Sequence, residues 1–130
     1  RDGVTFINDS KATNVAATVA ALRGLDGPIV LIAGGQGKGA DLSPLGSAPS
    51  DRLLAAVVIG EATEQLETVL RGRCPVRRAG DMAEAVELAA KLATPGSTVL
   101  LSPACASFDM FTDYAERGDA FAAAVEEITE

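Results

Sequence analysis

Ile29-Val30-Leu31-Ile32-Ala33-Gly34-Gly35-Gln36-Gly37-Lys38-Gly39 passes from an unbroken aliphatic run directly into a glycine-rich polar loop. A continuous apolar run of this length, bounded by glycine, reads as a strand buried on both faces. The same arrangement recurs twice. Val4–Ile7 leads into Asn8-Asp9-Ser10-Lys11-Ala12-Thr13-Asn14, and Thr98–Leu101 leads into Ser102-Pro103-Ala104-Cys105-Ala106-Ser107. Polar loops of small residues at the ends of buried strands are where α/β domains place ligands.

Working outward, apolar spacing predicts helices between these runs. One covers Asn14–Leu22, with Val15, Val19 and Leu22 inward, and one covers Glu61–Leu70, with Leu66, Val69 and Leu70 inward. Asp81 is placed to cap a helix through Leu92 that carries Met82, Val86, Ala89 and Ala90 on one face. A last helix is expected from about Gly118 to Ile128, and a short helical turn at Ser43–Ala48. Ala55–Ile59 and Val76–Arg78 complete the strands, the latter at an edge. Phe111 and Phe121 are expected in the core. Strands separated by helices of this length imply parallel β-α-β units, so the expected fold is α/β. Its form is a Rossmann-like three-layer α/β/α sandwich with a mostly parallel sheet, residues 1–130 making one domain.

Composition excludes several function classes. Hydrophobic residues are 48% of the chain but aromatics only 4%, so the core is aliphatic. No apolar run approaches the roughly 20 residues of a membrane helix, and no basic-then-apolar leader is present. A chain opening on Arg1, with a strand almost at once, is expected to be a domain of a longer protein. The net charge of −7, with scattered basic residues, removes the phosphate-neutralising term that drives nucleic-acid binding. The local cluster Arg71, Arg73, Arg77 and Arg78 reads as a solvated loop and strand edge. Histidine is absent, which removes Ser-His-Asp and Cys-His catalysis and most zinc sites. Cys74 and Cys105 have neither metal-knuckle spacing nor the number for a disulfide framework, which fits a reducing, cytoplasmic compartment. No metal site, nucleic-acid partner or membrane partner is expected, and a monomer is.

Each loop has a plain reading beside a functional one. Gly35-x-Gly37-x-x-Ala40 formally matches a relaxed dinucleotide fingerprint, yet it continues into Asp41-Leu42-Ser43-Pro44 instead of opening a helix. The plain alternative is a turn that uses glycine's freedom at positive φ. Lys38 shifts the balance, because two of the chain's three lysines, Lys11 and Lys38, lie in strand-end loops of an acidic protein. Two such point charges suit an anion. In the first loop, Thr13 or Asn14 can cap the helix that follows and Asp9 suits its dipole. Lys11 has the unfavourable sign there unless an anion offsets it. In the third loop, small residues allow close backbone approach, and N–H groups at a following helix start can hold a carboxylate. Cys105 has no basic partner in the sequence to make it a nucleophile.

Three classes of function therefore stand side by side: an enzyme domain, a free-standing Rossmann-like nucleotide-binding module, and a scaffold without ligand. The loops Asn8–Asn14, Gly34-Gly35-x-x-Lys38-Gly39 and Ser102–Ser107 are followed by Phe108-Asp109-x-Phe111 and Glu116-Arg117-Gly118-Asp119-x-Phe121. Together, in this order and over essentially the whole chain, they resemble the C-terminal domain of the Mur ligases. Within that family they resemble the members that add D-glutamate to UDP-N-acetylmuramoyl-L-alanine. Sister ligases for other amino acids carry a histidine in the first loop, and this chain has none. Gln36 stands where some members carry Asp, and Tyr114 where Phe is common.

The resemblance implies a three-domain, ATP-dependent ligase of cytoplasmic peptidoglycan biosynthesis, and hence of cell-wall biogenesis, cell shape and cell division. ATP phosphorylates the L-alanine carboxylate, and the D-glutamate amine then attacks the acyl phosphate. The N-terminal domain holds the UDP group, and the central domain carries the ATP P-loop and most Mg2+ ligands. The C-terminal domain closes over both, so this chain alone is expected to be inactive. Transferred by position, Asp9 contacts the ATP ribose, and Lys11 lies near the phosphates and the reacting carboxylate as the catalytic residue. Thr13 and Lys38 hold one carboxylate of D-glutamate. Ser107, with the backbone at Phe108 and near Tyr114, holds the other.

Overall fold

The computed structural model describes residues 3–25, 27–36, 41–47, 53–105 and 111–129. In chain order these form β1 (Thr5–Asn8), α1 (Val15–Gly24), β2 (Ile29–Gly34), α2 (Pro44–Ser47), β3 (Leu53–Ile59), α3 (Thr63–Leu70), β4 (Val76–Arg78), α4 (Met82–Leu92), β5 (Thr98–Leu101) and α5 (Tyr114–Thr129). The strands make one sheet in the order β1-β5-β2-β3-β4, and every pairing is parallel.

Every residue of β2 is buried because it lies inside the sheet and both of its faces are covered. Ile29, Leu31 and Ala33 face one core with Leu22 of α1, Leu45 of α2, and Leu66 and Leu70 of α3. Val30 and Ile32 face the other, with Met82, Ala85, Val86 and Ala89 of α4 and Phe121 and Ala124 of α5. Alternation along a strand thus divides the core into two halves, and the three-layer α/β/α sandwich expected from the sequence is present. One irregularity occurs. Ile29 pairs with Leu53 but Val30 with Ala55, so Leu54 is an extra residue in β3. This bulge puts Leu53 and Ala55 in opposite cores although they are two positions apart.

β4 is an edge strand, as its short, arginine-bearing sequence implied. Its Arg78 and the nearby Arg71 both bind the Glu67 carboxylate, at 2.6 and 3.2 Å, which gives half of the arginine cluster a surface structural role. Asp81 caps α4 by accepting from the Glu84 N–H at 2.8 Å.

Three expectations need adjustment. α5 starts at Tyr114, one turn earlier than Gly118. The Asp113 carboxylate accepts from the Glu116 N–H at 2.9 Å, while the Glu116 carboxylate accepts from the Thr112 N–H at 3.0 Å. This reciprocal cap nucleates the helix ahead of the glycine. α3 starts at Thr63, because a Gly60–Ala62 turn precedes it and Thr63 Oγ1 donates to the Gly60 carbonyl at 2.8 Å. On α1, Thr18 and Leu22 are fully buried whereas Val15 and Val19 are only partly covered. Phe121 is in the core, with Phe111 packed half-buried against it.

Candidate functional site

Because all strands are parallel, their carboxyl ends lie on one edge of the sheet. β1 and β2 send the chain to the face of α1, α2 and α3, while β5, between them, sends it to the face of α4 and α5. Chains that leave adjacent strands in opposite directions open a crevice, and ligands of open α/β sheets bind at such switch points. The loops after β1, β2 and β5 are the three singled out by sequence.

Backbone hydrogen bonds join them. Asp9 N–H donates to the Leu101 carbonyl at 2.8 Å, Gly34 N–H to Pro103 at 3.0 Å, and Ala104 N–H to Ala12 at 3.0 Å. Ala104 holds φ at 65°, a left-handed conformation uncommon outside glycine, at the point where its N–H meets Ala12. Strain of this kind clusters where loop geometry matters to function.

The first loop winds tightly: Ala12 N–H donates to Asp9 at 2.9 Å and Thr13 N–H to Lys11 at 2.8 Å. Ala12 is buried by this turn, whereas the Lys11 and Thr13 side chains are exposed. Asn14 Oδ1 accepts from the Ala17 N–H at 2.9 Å, which makes Asn14, and not Thr13, the N-cap of α1. Thr13 is thereby left over for another role. Asp9 is half-buried, with the Ser102 hydroxyl 3.1 Å from its Oδ2. Ser102 is itself within 3.2 Å of Thr18 Oγ1, and Thr18 donates to the Ser102 carbonyl at 3.1 Å.

Asp9, Lys11 and Tyr114 share the wall of one cleft of about 280 Å³ with Gly118 and Asp119. Tyr114 is 43% exposed at the start of α5, and its carbonyl accepts from Ser10 Oγ at 2.6 Å. Thr13 lies outside that wall. Lys38, Ser107 and Phe108 fall outside the described residues, although their loops leave from Gly34 and Cys105, which are described. A larger cleft of about 440 Å³, lined by Val4, Phe6, Ala93, Pro95 and Ile128, lies at the opposite end of the strands and is mostly aliphatic.

The dinucleotide reading of the glycine loop lacks its essential support. Among the described residues the next element is the single turn α2, whereas a pyrophosphate site calls for the N-terminus of a long helix directly after the glycines. Cys105 is buried and Cys74 half-buried, neither in a disulfide, and burial pushes the Cys74 thiol up, away from nucleophile chemistry. Among the described residues, no three His, Cys, Asp or Glu side chains gather as a metal site, and no helix is long and apolar enough to cross a membrane.

Sequence reading missed two side chains. Thr18, between Ala17 and Val19, gives no apolar signal of its own. Arg117 stands out in sequence only through the family resemblance, yet it is 1% exposed beneath all three loops. Its Nε donates to Ser10 Oγ at 3.0 Å and Nη2 to the Ser10 carbonyl at 2.9 Å. Nη1 donates to the Cys105 carbonyl at 2.9 Å and lies 3.5 Å from that of Gly34. The signal available was the neighbouring Gly118, where a Cβ would come within 3.1 Å of Asn8 Nδ2, a mark of close helix–loop contact.

Residues 1–105 match the model of the Mur ligase, glutamate ligase domain family. The chain is 54% identical over 125 residues to a UDP-N-acetylmuramoylalanine–D-glutamate ligase from Hahella chejuensis, covering 93% of this chain and 28% of that protein. It is 56% identical over 126 residues to the same-named ligase of Bordetella parapertussis, covering 96% of this chain and 25% of the relative. Among solved structures, a domain described as part of a UDP-N-acetylmuramate:L-alanyl-gamma-D-glutamyl-meso-diaminopimelate ligase from Haemophilus ducreyi superposes with a TM-score of 0.52. It shares 17% identity, with 95% of this chain and 93% of that one covered, and so supports the fold alone. The chain spans little more than a quarter of the length of the relatives it matches, and it belongs to the Mur ligase family as a C-terminal, glutamate ligase domain.

Proposed function

We propose that this chain is the D-glutamate-binding, active-site-closing domain of a cytoplasmic, three-domain ligase that joins D-glutamate to UDP-N-acetylmuramoyl-L-alanine in peptidoglycan synthesis. The observation that carries this reading is the convergence of the β1, β2 and β5 loops on one switch-point crevice, with Asp9, Lys11 and Tyr114 in a single wall.

D-Glutamate is a dianion with one nucleophilic amine, so a site must hold two carboxylates at a fixed separation and leave the amine free. In this reading Thr13 and Lys38 hold one carboxylate, and Ser107 with the Phe108 backbone near Tyr114 holds the other. Orienting the amine in this way makes its attack effectively unimolecular. The Asp9 carboxylate, steadied by Ser102 on Oδ2, has acceptor capacity left for the hydroxyls of a ribose. When bound, ATP supplies the phosphoryl group that activates the L-alanine carboxylate as an acyl phosphate. Lys11, exposed at the rim, neutralises charge that gathers where that carboxylate reacts. In this reading Mg2+ is held mainly by the central domain, together with the P-loop.

The test is phosphate release by the full-length protein given ATP, Mg2+ and UDP-N-acetylmuramoyl-L-alanine, with D- and L-glutamate compared. Release that depends on D-glutamate supports the reading. Release with neither enantiomer, from a folded protein that binds ATP, overturns it in favour of a nucleotide-binding module.

A further inference from the structure

Arg117 stands alone among the described residues as a charged side chain in the fully buried set. Burying a guanidinium is costly unless its N–H groups are satisfied in good geometry. Among the described residues, the acceptors that meet it come from three separate places. Ser10 follows β1, Gly34 ends β2, and Cys105 follows β5. Ser10 accepts the Nε proton and passes its own on to the Tyr114 carbonyl, so the bonds form a directed chain from α5 through the first loop and back to α5. Beside it, Asn8 Nδ2 donates to the Gly118 carbonyl at 3.0 Å and Asn8 Oδ1 accepts from the Ser10 N–H at 3.2 Å.

We propose that Arg117 is a positioning residue: it fixes the spacing of Ser10, Gly34 and Cys105 at the carboxyl ends of β1, β2 and β5, and through that frame it supports binding of the amino-acid substrate. The choice of substrate rests on the ligase reading above; the coupling of the loops does not. Arginine is required because its donors project from a rigid plane in several fixed directions. Lysine would keep the charge but offer its donors from one rotating point. Arg117 is placed beneath the loops and acts through them.

The experiment compares wild type, Arg117→Lys and Ser10→Ala in the full-length protein by steady-state kinetics and by hydrogen exchange. In Arg117→Lys the KM for D-glutamate is expected to rise about tenfold or more, with the KM for UDP-N-acetylmuramoyl-L-alanine within about twofold of wild type. Ser10→Ala, which keeps the carbonyl acceptor and removes one hydroxyl, is expected to raise it about threefold in the same selective way. Exchange is expected to quicken together in peptides spanning residues 9–13, 34–36 and 102–105, with residues 63–70 and 82–92 unchanged. Unchanged D-glutamate KM in both folded variants, or an equal rise in both KM values, overturns the proposal. So does faster exchange confined to α5 or spread over the whole chain. A wild type without D-glutamate-dependent release overturns the ligase reading instead, and the exchange pattern then decides the role of Arg117 by itself.

Discussion

The Ser102 hydroxyl lies 3.1 Å from the Asp9 carboxylate although 93 residues separate the two in sequence. The contact follows from register: Asn8 pairs with Leu101, so each residue is the first beyond the last pair of β1 and β5. Ser102 is fully buried, and its one proton has the carboxylate and the Thr18 hydroxyl within reach. Ser102→Ala is expected to lower stability by about 1 kcal/mol, as for a lost hydrogen bond with a surviving acceptor. On the proposed ligase reading it is expected, in the full-length protein, to raise the KM for ATP severalfold and to leave that for D-glutamate nearly unchanged. Urea denaturation and steady-state kinetics measure the two effects. An unchanged KM for ATP would remove Asp9 from the nucleotide site.

Lys11 is exposed and precedes α1, where a cation opposes the helix dipole. Its removal therefore carries little stability cost, within about 0.5 kcal/mol. Lys11→Ala is expected to lower turnover about a hundredfold or more while KM values move by less than about threefold. Wild-type turnover in this variant would dismiss the catalytic role.

For Lys38 the expectation is the opposite split. On the proposed reading, Lys38→Ala in the full-length protein is expected mainly to raise the KM for D-glutamate, about tenfold or more, because one carboxylate would lose its charged partner. An unaltered KM places Lys38 outside the amino-acid site.

Gly34 has φ at 143°, and a Cβ there would be driven into the Ile59 carbonyl. That carbonyl already accepts from the Gly35 N–H, at 3.2 Å, so it has no room to retreat. Gly34→Ala is expected to destabilise the domain by about 3 kcal/mol, combining backbone strain with overpacking. Chemical denaturation reads the loss. A variant as stable as wild type would mean that the ends of β2 and β3 separate freely.

Glu67 is held below the ordinary glutamate value of 4.5, first by the hydrogen bond from Arg78 and then by the charges of Arg78 and Arg71, against an opposing effect of burial. In the window below 4.5 the unfolded chain binds this proton more readily than the folded one. The stabilisation is therefore fully present above that pH and is lost as pH falls through the lower folded value. Glu67→Gln is expected to flatten this part of the acid limb in thermal melts from pH 6 to pH 3. The difference from wild type shrinks in high salt, because both guanidiniums are exposed. Identical acid limbs for the two proteins would assign Glu67 no linkage.

Sequence by itself determined what local pattern and end chemistry can encode. The unbroken Ile29–Ala33 run named a doubly covered strand, Asp81 named one helix start, capping chemistry narrowed another to Thr13 or Asn14, and the Gly34, Asn8–Asn14 and Ser102 loops named the edge of the candidate site. These signals are legible because periodicity and capping act within a few residues. Tertiary structure decided the rest. No local rule places β5 between β1 and β2, yet that insertion creates the crevice and brings Ser102 to Asp9. Neither Thr18 nor Arg117 carries a local signal of burial, since polar side chains are buried only where partners meet them. Among the described residues those partners include Ser102 for Thr18, and Ser10, Gly34 and Cys105 for Arg117, each supplied by another strand end. Hydrogen-bond acceptors gathered from distant loops exist only once the strands are ordered, which is why the frame that holds the site emerged from the folded chain.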